Sequence, residues 1–201
     1  MDPYIYINNK CLSKDLCYDI IDIFKQHTID NAKTISGVNT KILNAHGLSS
    51  IDIHHEDWSK IHDLVKDELI INVNNYINNL NNINNQSIYT HFNTQDIVFD
   101  NFNIQLYKAT ENGHYVYHTD DNIDTNNYTE RCITFVLYLN NVEDGGETTF
   151  YNNIKIKPQG GKLLLFPSTW TYPHCSCPVI SNDKYIIVGW LNNLIKPPKM
   201  N

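Results

Sequence analysis

The sequence predicts an α+β domain built on a double-sheet jelly roll, with helices dominating its first half and short strands its second. Three observations carry this. Before residue 100, apolar residues recur at helical spacing in two stretches. From Asp100 onward they fall in short alternating segments. Gly113, Gly145-Gly146 and Gly160-Gly161 punctuate those segments where antiparallel strands must turn.

In chain order, Tyr4 to Ile7 alternates as a short strand. Ser13 then caps a helix that Leu16, Cys17, Ile20, Ile21 and Phe24 make amphipathic. The second helix carries one stripe of Trp58, Ile61, Leu64 and Val65 and a continuation of Val73, Tyr76, Ile77, Leu80 and Ile83, with Asp57 at its N-cap. Its Asn-rich stretch, 72–85, looks like low complexity, but the periodicity argues for a helix with a polar outer face. Asparagine is a mediocre helix former, so this helix depends on packing against a sheet. The strands follow: Phe102-Ile104-Leu106, Ile133-Phe135-Leu137-Leu139, Thr149 to Tyr151, Lys162 to Phe166 and Tyr185 to Leu191. No linker divides the chain, so 1–201 reads as one domain, with 1–99 mainly helical support and 100–195 the jelly-roll core.

Composition excludes some functions. Fifteen Lys and Arg against twenty-two Asp and Glu give a net charge of -7, which provides no field for phosphate backbones and makes nucleic acid an unlikely partner. The first residues lack the basic and apolar pattern of a secretory leader, and nowhere does a membrane-length apolar run occur. The expectation is a soluble cytoplasmic protein. Five cysteines, an odd number without regular spacing, do not resemble a disulfide framework.

The candidate chemistry begins at Tyr115-Val116-Tyr117-His118-Thr119-Asp120. On an extended strand, side chains two apart share a face, so His118 and Asp120 can converge on one ion. His174 is the best candidate for a third ligand, from a strand returning beside the first. Two imidazoles and one carboxylate leave three metal positions open, which suits non-haem Fe(II) binding an oxo-acid and then O2, whereas a structural zinc site would be closed. An isolated His-x-Asp is more often solvated surface. His54, His55, His62 and His91 have no comparable company and read as surface or satisfied core residues. Cys175 and Cys177 flank His174, but thiolates suit zinc or iron–sulfur clusters, and they read as structural neighbours. Lys184 opens a strand on which Lys184, Ile186, Val188 and Trp190 share a face, so an inward ammonium among apolar side chains would need an anion. The alternative is an edge lysine reaching solvent.

Together, Tyr107, Gly113, Tyr115, His118-Thr119-Asp120, Arg131-Cys132-Ile133-Thr134, Tyr138-Leu139-Asn140, Gly145 to Phe150, Pro158, Gly161, Leu164 to Phe166, His174, Pro178-Val179, Lys184 and Trp190 resemble the catalytic domain of the prolyl 4-hydroxylase family. The match covers roughly the last hundred residues, and several motifs in the right order make it specific for the iron and 2-oxoglutarate superfamily. The resemblance implies a double-stranded β-helix (jelly roll) core with supporting N-terminal helices, and Fe(II) on His118, Asp120 and His174. It implies 2-oxoglutarate held by Lys184 with Tyr107 and Thr148 as hydrogen-bond donors, O2 as oxidant and L-ascorbate as reductant. A lysine ten residues beyond the distal histidine is typical of collagen-type members. A proline-containing peptide is the implied substrate, in a cleft formed by Tyr115, Arg131 and Trp190. Tyr115 and Trp190 have core packing as their alternative role, and Arg131 a surface ion pair with Asp121 or Asp124. Other function classes are an oxygenase acting on a free amino acid, another side chain or an alkylated base, and a non-catalytic metal-binding jelly roll.

Overall fold

The computed structural model describes residues 2–30, 45–46, 48–52, 58–83, 97–99 and 102–195. Strands are β1 Tyr6–Asn8, β2 Ala45–His46, β3 Leu48–Asp52, β4 Ile97–Phe99, β5 Asn103–Tyr107, β6 His114–His118 and β7 Ile123–Asp124. They continue as β8 Thr129–Tyr138, β9 Thr148–Phe150, β10 Lys155–Ile156, β11 Leu163–Pro167, β12 His174–Ser176 and β13 Lys184–Leu194. Helix α1 is Lys14–Asp30 and α2 is Ser59–Ile83.

The strands form two antiparallel sheets, as a jelly roll requires. The larger runs β1-β11-β8-β13-β5-β3, with β4 on β13 and β7 on β8; the smaller runs β10-β9-β12-β6-β2. The first half is therefore not only helical support: β1 pairs with β11, β3 with β5 and β2 with β6, so it extends both sheets. The strands β2 and β3 were not anticipated from alternation.

The central strands are buried on both faces, so they read as near-continuous apolar runs. From β8, Ile133, Phe135 and Leu137 join Leu163, Leu165 and Ile187 in a core shared with both helices. The intervening Val136, Tyr138, Leu164, Phe166, Ile186 and Val188 form a second core with Phe150 of the smaller sheet. Period-two alternation thus divides each strand between a helix-facing and a sheet-facing layer.

Helix α1 begins as expected, the Leu16 N–H donating to Ser13 Oγ at 3.2 Å. Helix α2 buries Ile61, Val65, Leu69, Val73, Tyr76, Ile77 and Leu80, and Trp58 just before it is buried too. Two of its residues depart from expectation. Leu64 is 48% exposed and lies off the stripe, whereas Asn72 is buried. Asn72 accepts from the Tyr6 hydroxyl at 3.1 Å and from Asn8 Nδ2 at 2.8 Å, and donates to the Glu68 carbonyl at 2.8 Å. A buried amide needs such partners, and here they tie α2 to β1. Asp57, His54, His55, His91 and the side chain of Ile83 lie outside the described residues. No helix among the described residues is long and apolar enough to cross a membrane.

Candidate functional site

The two histidines meet because their strands are neighbours: β12 pairs antiparallel with β6, and His174 stands opposite His118. Their ring centroids are 4.4 Å apart. The strand β6 ends at His118, so Asp120 lies just beyond it rather than on the same strand as expected. It still turns back to the pair, with Oδ1 3.5 Å from His118 Nε2 and Oδ2 3.6 Å from His174 Nε2. One ligand atom from each of the three lies within 4.8 Å of the others.

Each ring's other nitrogen faces a main-chain carbonyl, His118 Nδ1 to Val116 O at 2.9 Å and His174 Nδ1 to Tyr172 O at 3.1 Å. A carbonyl only accepts, so the proton of each neutral ring belongs on Nδ1, and both Nε2 lone pairs face the carboxylate. Burial lowers the pKa of His174, favouring the neutral ring. Burial alone would raise Asp120, but a proton on the His118 or His174 ring when no metal is bound, together with the Thr134 hydroxyl, outweighs it and holds the carboxyl at about 2. Two neutral imidazoles and one carboxylate fit a divalent non-haem metal with positions to spare. The half-buried Cys175 has its thiol pKa raised by burial and stays protonated, so it is a poor soft ligand.

A cavity of about 330 Å³ opens over the triad. Beyond His118, Asp120 and His174, it is lined by Tyr107, Tyr115, Arg131, Thr148, Lys184 and Trp190, so all nine residues singled out in the sequence meet there. Gln105, Thr134, Val136, Ser176, Ile186 and Val188 complete much of the wall.

Lys184 is 1% exposed. Its ammonium donates to the Gly146 carbonyl at 3.0 Å and to the Ser176 hydroxyl, and lies 4.2 Å from the Tyr107 ring centroid. Gly146 permits that approach. It adopts a φ of +72°, and a Cβ there would meet Val179 at 2.9 Å and the Lys184 Cδ at 3.4 Å. Among the described residues no carboxylate comes within ion-pair distance of the ammonium, and burial pushes its pKa down to about 7. A buried cation with only neutral partners is a receptor for an anion. Around it, the Tyr107 hydroxyl donates to Gln105 Oε1 at 2.9 Å, and Thr148 Oγ1 is 2.6 Å from the Tyr138 hydroxyl.

Arg131 reaches the cavity through a β-bulge. Trp190 pairs with Thr134 and Leu191 with Ile133, but Asn192 pairs with Arg131, so Cys132 is an extra residue in β8. Cys132 packs toward the helix-side core, and Arg131 takes the inward place that strict alternation would give to Cys132. Its guanidinium lies 3.6 Å over the Trp190 ring centroid. The Tyr115 ring packs against His118 at a tilt of 48°, with centroids 4.3 Å apart.

Sequence reasoning missed Ser176, Thr134 and Ser168. Ser176 was within reach, because alternation from His174 carries it to the same face. Thr134 shares the inward face of Val136 and Tyr138, but its partner Asp120 comes from the segment beyond the end of β6. Nothing in the sequence marks Ser168.

Residues 102–192 match the family model of the 2OG-Fe(II) oxygenase superfamily. Prolyl 4-hydroxylase 13 of Arabidopsis thaliana is 31% identical over a segment covering 32% of this chain and 32% of that protein. The chain thus spans about a third of the length of this relative. Over 95% of this chain and 97% of the other, the fold superposes on a viral collagen prolyl hydroxylase from Paramecium Bursaria Chlorella virus-1, with TM-score 0.65 and 19% identity. A prolyl hydroxylase from Trichoplax adhaerens, in complex with a hypoxia inducible factor peptide fragment, superposes with TM-score 0.69 over 96% of this chain and 84% of its own, at 19% identity. These likenesses establish the jelly-roll fold of the prolyl hydroxylases for this chain.

Proposed function

We propose that this chain, whose residues 102–192 match the 2OG-Fe(II) oxygenase superfamily and whose fold is that of the prolyl hydroxylases, is an Fe(II)- and 2-oxoglutarate-dependent dioxygenase that hydroxylates peptidyl proline. The observation that carries the reading is the pairing, in one cavity, of an open His118–Asp120–His174 donor set with the buried ammonium of Lys184. A metal-chelating keto-acid with a second, distal carboxylate is the molecule that satisfies both ends.

His118, Asp120 and His174 would hold the iron, their Nε2 and carboxylate oxygens already facing one another. Bound Fe(II) supplies the coupling of O2 reduction to decarboxylation of 2-oxoglutarate, giving succinate, CO2 and one oxygen atom inserted into a substrate C–H bond. Lys184 would neutralise the distal carboxylate, and the hydroxyls of Tyr107 and Thr148, turned from their present partners Gln105 and Tyr138, would donate to it. Apolar Val136, Ile186 and Val188 exclude water from the middle of the cavity. Tyr115, Arg131 and Trp190 would receive the peptide: a guanidinium stacked on an indole offers a flat apolar face with donors at its edge. Proline-rich chains in polyproline II form suit such aromatic clefts. The Trichoplax enzyme of the same fold holds a peptide, which supports a peptide here. L-ascorbate is the expected reductant for uncoupled cycles. A cytoplasmic, reducing location belongs to this reading, in keeping with an odd number of irregularly spaced cysteines.

The test is to incubate the protein with Fe(II), 2-oxoglutarate, ascorbate and a set of proline-rich peptides. Peptide mass should rise by one oxygen as succinate forms, and His118→Ala or Asp120→Ala should abolish both. Wild-type turnover in either variant at saturating iron would overturn the ligand assignment. Succinate formation with no peptide gaining oxygen would point to another substrate class.

A further inference from the structure

Thr134 and Ser168 are fully buried hydroxyls that the proposed reaction does not itself use. Thr134 Oγ1 lies 2.8 Å from Asp120 Oδ2 and 2.9 Å from Ser168 Oγ. The direction of this chain follows from proton counting. An ionised carboxylate can only accept, and threonine has one hydroxyl proton, so Thr134 donates to Asp120. Ser168 must then donate its own proton to Thr134. Both donors are anchored away from the metal ligands. Thr134 belongs to β8 in the larger sheet, and Ser168 follows β11, its N–H donating to the Cys132 carbonyl at 3.1 Å. Asp120, beyond the end of β6, has no strand to fix it.

The two oxygens of Asp120 therefore differ. Each faces one imidazole, Oδ1 the His118 Nε2 and Oδ2 the His174 Nε2, but Oδ2 also accepts from Thr134, whereas Oδ1 has no hydroxyl partner among the described residues. This matters because a carboxylate can bind a metal through one oxygen or two. With two imidazoles, one carboxylate oxygen leaves three of six positions open, enough for a bidentate keto-acid and O2. Two carboxylate oxygens would leave a single pair, which the keto-acid alone fills.

We propose that Thr134, backed by Ser168, is a positioning residue that restricts Asp120 to one metal-ligating oxygen and so keeps the third position open. This rests on the iron and 2-oxoglutarate reading above. Charge-assisted hydrogen bonds to a ligand carboxylate are strong enough to select its binding mode, and outer partners of this kind shift metal-site properties by about 10- to 100-fold.

The experiment compares wild type, Thr134→Val, Thr134→Ser and Ser168→Ala as anaerobic Fe(II) proteins. Iron affinity is measured by competition with a chelator, and 2-oxoglutarate is titrated through the metal-to-ligand charge-transfer absorption. Thr134→Val should retain iron at least as tightly as wild type, yet bind 2-oxoglutarate about tenfold more weakly with an altered band. Thr134→Ser should recover the wild-type band and most of the affinity, and Ser168→Ala should fall between. An unchanged band and affinity in Thr134→Val would overturn the proposal. So would equal losses in Thr134→Val and Thr134→Ser, which would assign the effect to packing. A loss of iron as large as the loss of 2-oxoglutarate would overturn it too, since the hydroxyl would then hold the ligand rather than its mode. Wild-type protein that takes up no Fe(II) would refute the underlying metal reading instead.

Discussion

The ammonium of Lys184 makes its hydrogen bonds to a carbonyl and a hydroxyl, neither of which neutralises it. Its pKa falls from 10.5 to about 7 through burial. Between those values the unfolded chain binds the proton more strongly than the folded one, so stability of the ligand-free protein rises with pH. From about pH 9 upward, in the upper part of that window and beyond it, the buried thiols of Cys11 and Cys17, raised from 9.0 to about 12 and about 11, act in the opposite sense. Urea unfolding should therefore show a higher midpoint at about pH 8.5 than at about pH 7, and Lys184→Met should remove most of that difference. An identical pH response in Lys184→Met would mean that the ammonium is not the group responsible. Saturating 2-oxoglutarate with iron should flatten the slope in wild type, because an anionic partner restores the lysine's affinity for its proton. This residue was legible in the sequence, since Ile186, Val188 and Trp190 on alternate positions declare its face. Thr134 was not, because its meaning depends on Asp120 and Ser168, 14 and 34 residues away.

Strand β13 shows how much an element's neighbours decide. It pairs with β8, β5 and β4, and both faces are packed. Gly189 sits where the Phe135 ring crosses it: an added Cβ would lie 2.7 Å from one ring atom of Phe135 and 3.1 Å from Phe102. Gly189→Ala must push an aromatic ring out of a filled core and should cost about 1 to 3 kcal/mol, read as a lower denaturant midpoint at unchanged slope. A midpoint equal to wild type would show that the rings yield freely. Alternation made β5, β8, β11 and β13 readable. It could not foresee the bulge at Cys132, since an extra residue becomes visible only against a partner strand. That bulge puts Arg131 in the cavity, so its inward place was available to family resemblance and not to periodicity. Helix α2 shows the same limit in another form. Its stripe was right in outline, but Asn72 is buried because Tyr6 and Asn8 supply partners that composition does not reveal.

On the scale of the molecule, the site bridges the two sheets. His118 and His174 belong to the smaller sheet, whereas Thr134, Lys184 and Trp190 belong to the larger. Iron and 2-oxoglutarate together would join the two, so their binding should stabilise the whole fold. At about 100 times the dissociation constant a ligand adds about 2.7 kcal/mol, which for a chain of this size raises Tm by roughly 5 to 10 °C. Anaerobic thermal melts with Fe(II) plus 2-oxoglutarate should show that rise. Oxaloacetate, one carbon shorter, and 2-oxoadipate, one longer, should give much smaller shifts. Equal shifts for all three diacids would count against a fixed anchor at Lys184. The reason for expecting a length preference lies in β13. Thr134, the partner of Asp120, pairs with Trp190, and Lys184 stands three inward places along the same strand. Strand rise does not stretch, so on the proposed reading β13 would work as a ruler with the metal read at one mark and the distal carboxylate at another, and the co-substrate would be chosen by measurement as much as by charge.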